Sequence, residues 1–151
     1  FLRFCSCFVC NQQEAGILFS EDYDSKTPEE LRDILAHHVQ AAEIPRMVVT
    51  MGAQGAVYAM QDGSCGICPA RKVDVKDTTG AGDGFIGSFL WQLQRDGVTT
   101  AELPKLSRKR LTEYLAFSNR FCAISVQHHG ALDSYPTLAQ MEQPETVFPL
   151  P

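Results

Sequence analysis

The stretch Thr79-Gly80-Ala81-Gly82-Asp83-Gly84 stands directly before an apolar stripe of helical period formed by Phe85, Ile86, Phe89, Leu90 and Leu93. Three glycines crowded into the start of a helix constrain this chain more than any other feature. They let the backbone approach a bound group and turn successive N–H groups toward it. The positive end of the helix dipole falls at the same point, so the loop is shaped to hold an anion. The helix is expected to end near Gly97.

The rest of the chain reads as strands alternating with helices. Phe8-Val9-Cys10 ends a buried strand, and Asn11 opens a helix to about Phe19, with Glu14 at capping-box spacing. Residues 21–25 form a polar loop. Thr27-Pro28-Glu29-Glu30 is a helix start, and Leu31, Ile34, Leu35 and Val39 mark its apolar face as far as Ile44-Pro45. Met47-Val48-Val49-Thr50 is a short strand. Ala56 to Met60 and a second arm reaching Pro69 form a hairpin about Asp62-Gly63. Val73 and Val75 lead into the glycine loop, 107–126 form a long helix, and the chain closes in loop and Pro-rich sequence. The 151 residues fit one domain. The pattern predicts an α/β fold with a mostly parallel sheet flanked by helices and one short antiparallel hairpin.

A net charge of −5 supplies no basic stripe for nucleic acid, and no run approaches the roughly 20 apolar residues of a membrane span. The opening residues lack an initiator Met, a basic segment and a cleavage site, which argues against a signal peptide. Cys5-x-Cys7-x-x-Cys10 together with Cys65-Gly66-Ile67-Cys68 has zinc-like spacing, so a cysteine metal or redox domain is one alternative. The other reading of these cysteines is as small core hydrophobes.

Two phosphate motifs fit the glycine loop poorly. No Gly-Lys-Ser/Thr follows the glycines, which excludes a P-loop. Gly82-Asp83-Gly84-Phe85-Ile86-Gly87 matches G-x-G-x-x-G, with Glu102 about 20 residues on, but 94–105 reads as a polar loop where a dinucleotide fold needs a strand. Asp83 suits either a first-turn helix acid or a base that takes the proton of an attacking hydroxyl in phosphoryl transfer.

Asp77-Thr78-Thr79-Gly80-Ala81-Gly82-Asp83 resembles the D-T-x-G-A-G-D signature of the PfkB/ribokinase family of carbohydrate kinases. Two further motifs follow the family's order. Asn11-Gln12-Gln13-Glu14 is similar to its N-x-x-E magnesium motif, and Thr50-Met51-Gly52-Ala53-Gln54-Gly55 to its T-x-G-x-x-G nucleotide loop.

The resemblance implies ATP-dependent phosphorylation of a sugar hydroxyl, with Asp83 as base and Gly80, Ala81 and Gly82 forming the anion hole. It implies nucleotide contacts from Thr50, Gly52, Gly55 and Asn119, the last otherwise a solvent-facing helix residue. Asn11 and Glu14 would organise waters on Mg²⁺. Gly130-Ala131-Leu132-Asp133-Ser134-Tyr135-Pro136 resembles the closing segment that, with the signature, binds a monovalent cation in several members. Asp77, Thr79, Gly130 and Ser134 are then candidate K⁺ ligands. The turn at Asp62 and the signature look most like fructokinases, which implies a cytoplasmic enzyme with small-molecule partners, sugar and ATP, and a homodimer as one assembly. Family members run to about twice this length, so the chain is expected to be a carboxy-terminal half, without the sugar pocket and lid, and inactive alone or a nucleotide-binding module.

Overall fold

The computed structural model describes residues 1–143. Strand β1 (Phe8–Asn11) leads through α1 (Gln12–Phe19) and α2 (Pro28–Ala41) to β2 (Arg46–Thr50), β3 (Ala56–Met60) and β4 (Cys65–Cys68). Helices α3 (Ala81–Arg95), α4 (Arg108–Ser125) and the short α5 (Leu138–Glu142) follow. The strands form one sheet in the order β1-β2-β3-β4.

Helix α2 begins where its sequence dictates. Thr27 accepts from the Glu30 amide, Glu30 Oε2 accepts from the Thr27 amide at 2.9 Å, and Pro28 occupies a position with no amide to lose. Its Leu31, Leu35 and Val39 are fully buried against Met47, Val49, Val57 and Ala59 on one sheet face. Burial of each such side chain contributes about 1.5–3 kcal/mol. The opposite face presents Val48, Tyr58 and Met60 to Phe85, Phe89 and Leu93 of α3 and to Leu111, Tyr114 and Leu115 of α4. β2 is thus covered on both faces, which is why Met47, Val48 and Val49 run apolar without alternation. Arg46 itself is buried, and its Nη2 donates to the carbonyls of Pro104 and Leu106 at 2.8 and 3.1 Å, pinning the 98–107 connection beneath the sheet.

The sheet is mixed rather than mostly parallel. β1 and β2 are parallel, joined by a crossover through α1 and α2, whereas β2–β3 and β3–β4 are both antiparallel. Residues 51–55 are too few for a parallel crossover, so β2 and β3 had to form a hairpin. Residues 71–75, which include the Val73 and Val75 that lead into the glycine loop, carry no regular element. The chain's close is not all loop: α5 forms at Thr137, whose side chain caps Gln140 in a capping box. The last Pro-rich residues, 144–151, lie outside the described residues.

Candidate active site

Helix α3 starts on Gly80 in the left-handed region (φ 76°), with no side chain capping it. A Cβ at Gly80 would lie 2.9 Å from the Ala131 Cβ and 3.0 Å from the Tyr135 hydroxyl, so the turn requires glycine for both conformation and space. The Ala81 amide donates to the Thr78 carbonyl at 3.1 Å and the Gly84 amide to the Gly80 carbonyl at 2.8 Å. Between them, the amides of Gly82 and Asp83 find no acceptor among the described residues. A Cβ on Gly82 would meet nothing within 4 Å, so open space lies beside these donors. Asp83 is exposed in the same first turn and stands at the rim of a cleft of about 290 Å³ walled by Trp91, Phe117, Phe121 and Tyr135. Two oriented donors, a helix dipole and a carboxylate within one turn can stabilise growing negative charge and accept a proton beside it.

The approach to this turn is fixed by Asp77. Its Oδ1 accepts from the Thr79 amide and its Oδ2 from the Gly130 amide, both at 2.9 Å. These bonds favour the ionised form, the Gly130 amide most, and hold the carboxyl down at about 2. The amides of Lys76 and Asp77 donate to the Val126 carbonyl at 2.8 and 3.2 Å, so the loop is anchored to the end of α4. Three of the K⁺ candidates, Asp77, Thr79 and Gly130, are therefore brought together. The fourth, Ser134, is on the same segment, but its hydroxyl is buried, 2.7 Å from both the Ala131 carbonyl and Ser125 Oγ.

The other two motifs meet at the carboxyl ends of the parallel strands, where open α/β sheets bind ligands. Asn11 and Thr50 are register partners in the last rung of the β1–β2 ladder. Asn11 Oδ1 accepts from the Glu14 amide at 2.8 Å, and Glu14 Oε2 accepts from the Asn11 amide at 2.9 Å. Gly52 and Gly55 both have positive φ, and the Met51 amide donates to the Gly55 carbonyl at 2.7 Å, closing the loop. A Cβ at Gly55 would fall 2.2 Å from the Cys68 carbonyl oxygen; the loop therefore lies tight against the end of β4. Asn119 is not solvent-facing. It is buried in α4, and its Nδ2 donates to the same Cys68 carbonyl at 2.8 Å. It thereby braces the end of β4 on which the loop from Thr50 to Gly55 rests.

Two alternatives lose their structural basis. Glu102 ends no strand; it sits in a loop and accepts from the Thr99 amide and hydroxyl at 2.9 Å, which removes the dinucleotide-fold reading. Among the described residues, no three of His, Cys, Asp and Glu converge as metal ligands. Burial pushes the Cys7, Cys10 and Cys122 thiols up to about 12, which makes them core groups rather than reactive ones.

Sequence reasoning missed Tyr135, whose hydroxyl donates to the Gly80 carbonyl at 2.7 Å, and Cys122, whose thiol donates to the Ala81 carbonyl at 3.3 Å. The only local hint was an aromatic residue inside the closing Gly130–Pro136 segment. The resemblance set this segment beside the signature, but it gave Tyr135 itself no partner.

Residues 1–138 match the family described as pfkB family carbohydrate kinase. The ribokinase of Schizosaccharomyces pombe is 29% identical over 141 residues, which cover 93% of this chain and 41% of that protein. Fructokinase-1 of Zea mays is 37% identical over 97 residues, 64% of this chain and 28% of that one. A double mutant of the Vibrio cholerae O395 fructokinase, solved with fructose, ADP and potassium ion, superposes with a TM-score of 0.69 at 25% identity, covering 90% of this chain and 39% of that one. The chain thus spans about 40% of the length of the ribokinase it matches. A match that extends over residues 1–138 and so takes in all three motifs makes this chain a member of the pfkB family of carbohydrate kinases.

Proposed function

We propose that this chain carries the phosphoryl-transfer centre and the nucleotide surface of an ATP-dependent sugar kinase, as the carboxy-terminal part of the enzyme. The observation that carries the reading is the pair of free amides, Gly82 and Asp83, at an uncapped helix start beside an exposed carboxylate. In phosphoryl transfer the protein's task is to position the groups and to stabilise charge spread over the equatorial oxygens. The two amides and the dipole supply that stabilisation, and Asp83 accepts the proton of the acceptor hydroxyl. The loop from Thr50 to Gly55, with its floor fixed by Asn119, receives the nucleotide.

Asn11 and Glu14 fit a water-mediated rather than a direct role toward Mg²⁺, because Asn11 Oδ1 and Glu14 Oε2 are already engaged in the capping box. Held there through water, Mg²⁺ would supply neutralisation of the charge that develops in transfer. The carbonyls of Thr79 and Gly130 accept no bond among the described residues and flank a carboxylate, a hard oxygen set that suits K⁺. Ser134 would have to leave Ser125 to join it.

Fructose is the first acceptor to test, with ribose and adenosine beside it. In the intact protein carrying this chain, with Mg²⁺ and K⁺, we expect ADP release that depends on one sugar and collapses in Asp83→Asn. Nucleotide binding without turnover on any acceptor would make the chain a binding module instead. Full activity in Asp83→Asn would remove the base from the mechanism.

A further inference from the structure

We propose that Tyr135 is a positioning residue of the phosphoryl-transfer loop, which holds the Gly80 peptide so that the amides of Gly82 and Asp83 keep one orientation. The inference rests on the function proposed above. The segment from Gly130 to Tyr135 grips the signature at two points. The Gly130 amide donates to Asp77 Oδ2 at 2.9 Å, and the Tyr135 hydroxyl donates to the Gly80 carbonyl at 2.7 Å. The two bonds bracket the turn from Asp77 to Gly80, across 53 and 55 residues of sequence. The turn itself is built on glycine and would otherwise be its own least constrained part.

The ring is placed to do this and nothing looser. It is half-buried and packs edge-on against Phe121, with centroids 5.2 Å apart at 63°. Glycine at position 84 lets both rings reach α3: a Cβ there would lie 3.0 Å from Phe121 Cε1 and 3.2 Å from Tyr135 Cε1. Burial first, and then the nearby Asp83 charge, raise the phenol's pKa, so it remains a donor wherever the enzyme works. The Gly80 carbonyl accepts from both Tyr135 and the Gly84 amide, and the Ala81 carbonyl accepts from Cys122. The Ala81 carbonyl shares a peptide with the Gly82 N–H, so a donor on its oxygen polarises the free donor on its nitrogen.

Tyr135→Phe keeps the ring and deletes the bond. In the intact protein we expect kcat to fall about 5- to 10-fold, the factor one net hydrogen bond supplies, with both KM values within about twofold. Hydrogen exchange at the Gly84 amide should speed up by a similar factor while the Leu115 amide, in the core of α4, holds its rate. Unchanged exchange at Gly84 would overturn the proposal, and so would equal acceleration at Gly84 and Leu115, which would mean global loosening. A loosened Gly84 with unaltered kcat would also overturn it, since the loop would then not govern transfer. Asp83→Asn, run in parallel, separates the two readings. Retained activity there defeats the kinase assignment, while exchange at Gly84 still decides whether Tyr135 holds the loop.

Discussion

Helices α1 and α3 face the same problem at their N-termini and solve it in opposite ways. Each has orphan amides that must find acceptors. At α1 the chain answers with its own side chains, Asn11 and Glu14 closing a reciprocal box. Helices α2, α4 and α5 likewise have Thr27, Ser107 and Thr137 accepting from a first-turn amide. Among the described residues α3 alone of the five α-helices has no such cap, although a side-chain cap contributes about 1 kcal/mol. It is instead held from behind, through its carbonyls, by Tyr135 and Cys122. On the function proposed above, stability and chemistry compete for the same N–H groups, and among the described α-helices α3 is where the side-chain cap is given up.

The sharpest way to break this contrast is at Asp83. If α3 is the reacting end, Asp83→Asn should lower kcat about 10³-fold with nucleotide affinity little altered, measured by coupled ADP release and calorimetry. A loss confined to nucleotide affinity would make Asp83 a binding residue and leave α3 an anion site only. Next in size, Gly80→Ala forces a left-handed turn and a contact with Ala131, and should cost on the order of 1–3 kcal/mol in urea unfolding. Asn11→Ala should cost about 1 kcal/mol by the same measurement, with the Mg²⁺ concentration for half-maximal rate rising in step if capping and metal positioning are shared. A stability loss with unchanged Mg²⁺ dependence would reduce α1 to a structural helix and widen the contrast.

The smallest effect concerns pH. The carboxyl of Asp77 sits at about 2, below its ordinary 3.8, so its contribution to stability is full above pH 4 and is lost as pH falls toward 2. Melting temperatures at pH 5, 4, 3 and 2 should therefore drop less steeply for Asp77→Asn than for the wild type.

Much of this was legible in sequence because it is local. The Asn11–Glu14 and Thr27–Glu30 boxes, the apolar face of α2 and the glycine start of α3 each involve residues within four positions of one another. What was not legible spans the chain. The mixed sheet follows from a loop too short to cross over, a constraint visible only once β2 and β3 are known to be neighbours. The Asn119–Cys68 and Tyr135–Gly80 bonds join residues 51 and 55 apart, and no periodicity encodes such pairings. Helix α5 escaped notice because five residues give too short a pattern, although Thr137 and Gln140 stand at box spacing.

The rung that pairs Asn11 with Thr50 also sets where this chain can gain or lose residues over generations. An insertion in 20–22 or 42–43, where the connections are exposed, is taken up at the surface and leaves that rung intact, whereas Tyr23 and Ile44 within the same connections are buried in the core. A single deletion inside four-residue β1 would move Asn11 by about 3.3 Å and reverse every side chain beside it. The segments from Asn11 to Glu14 and from Thr50 to Gly55 are therefore kept in frame with each other by a strand too short to tolerate any change in length, while the exposed parts of the crossover between them are free to vary.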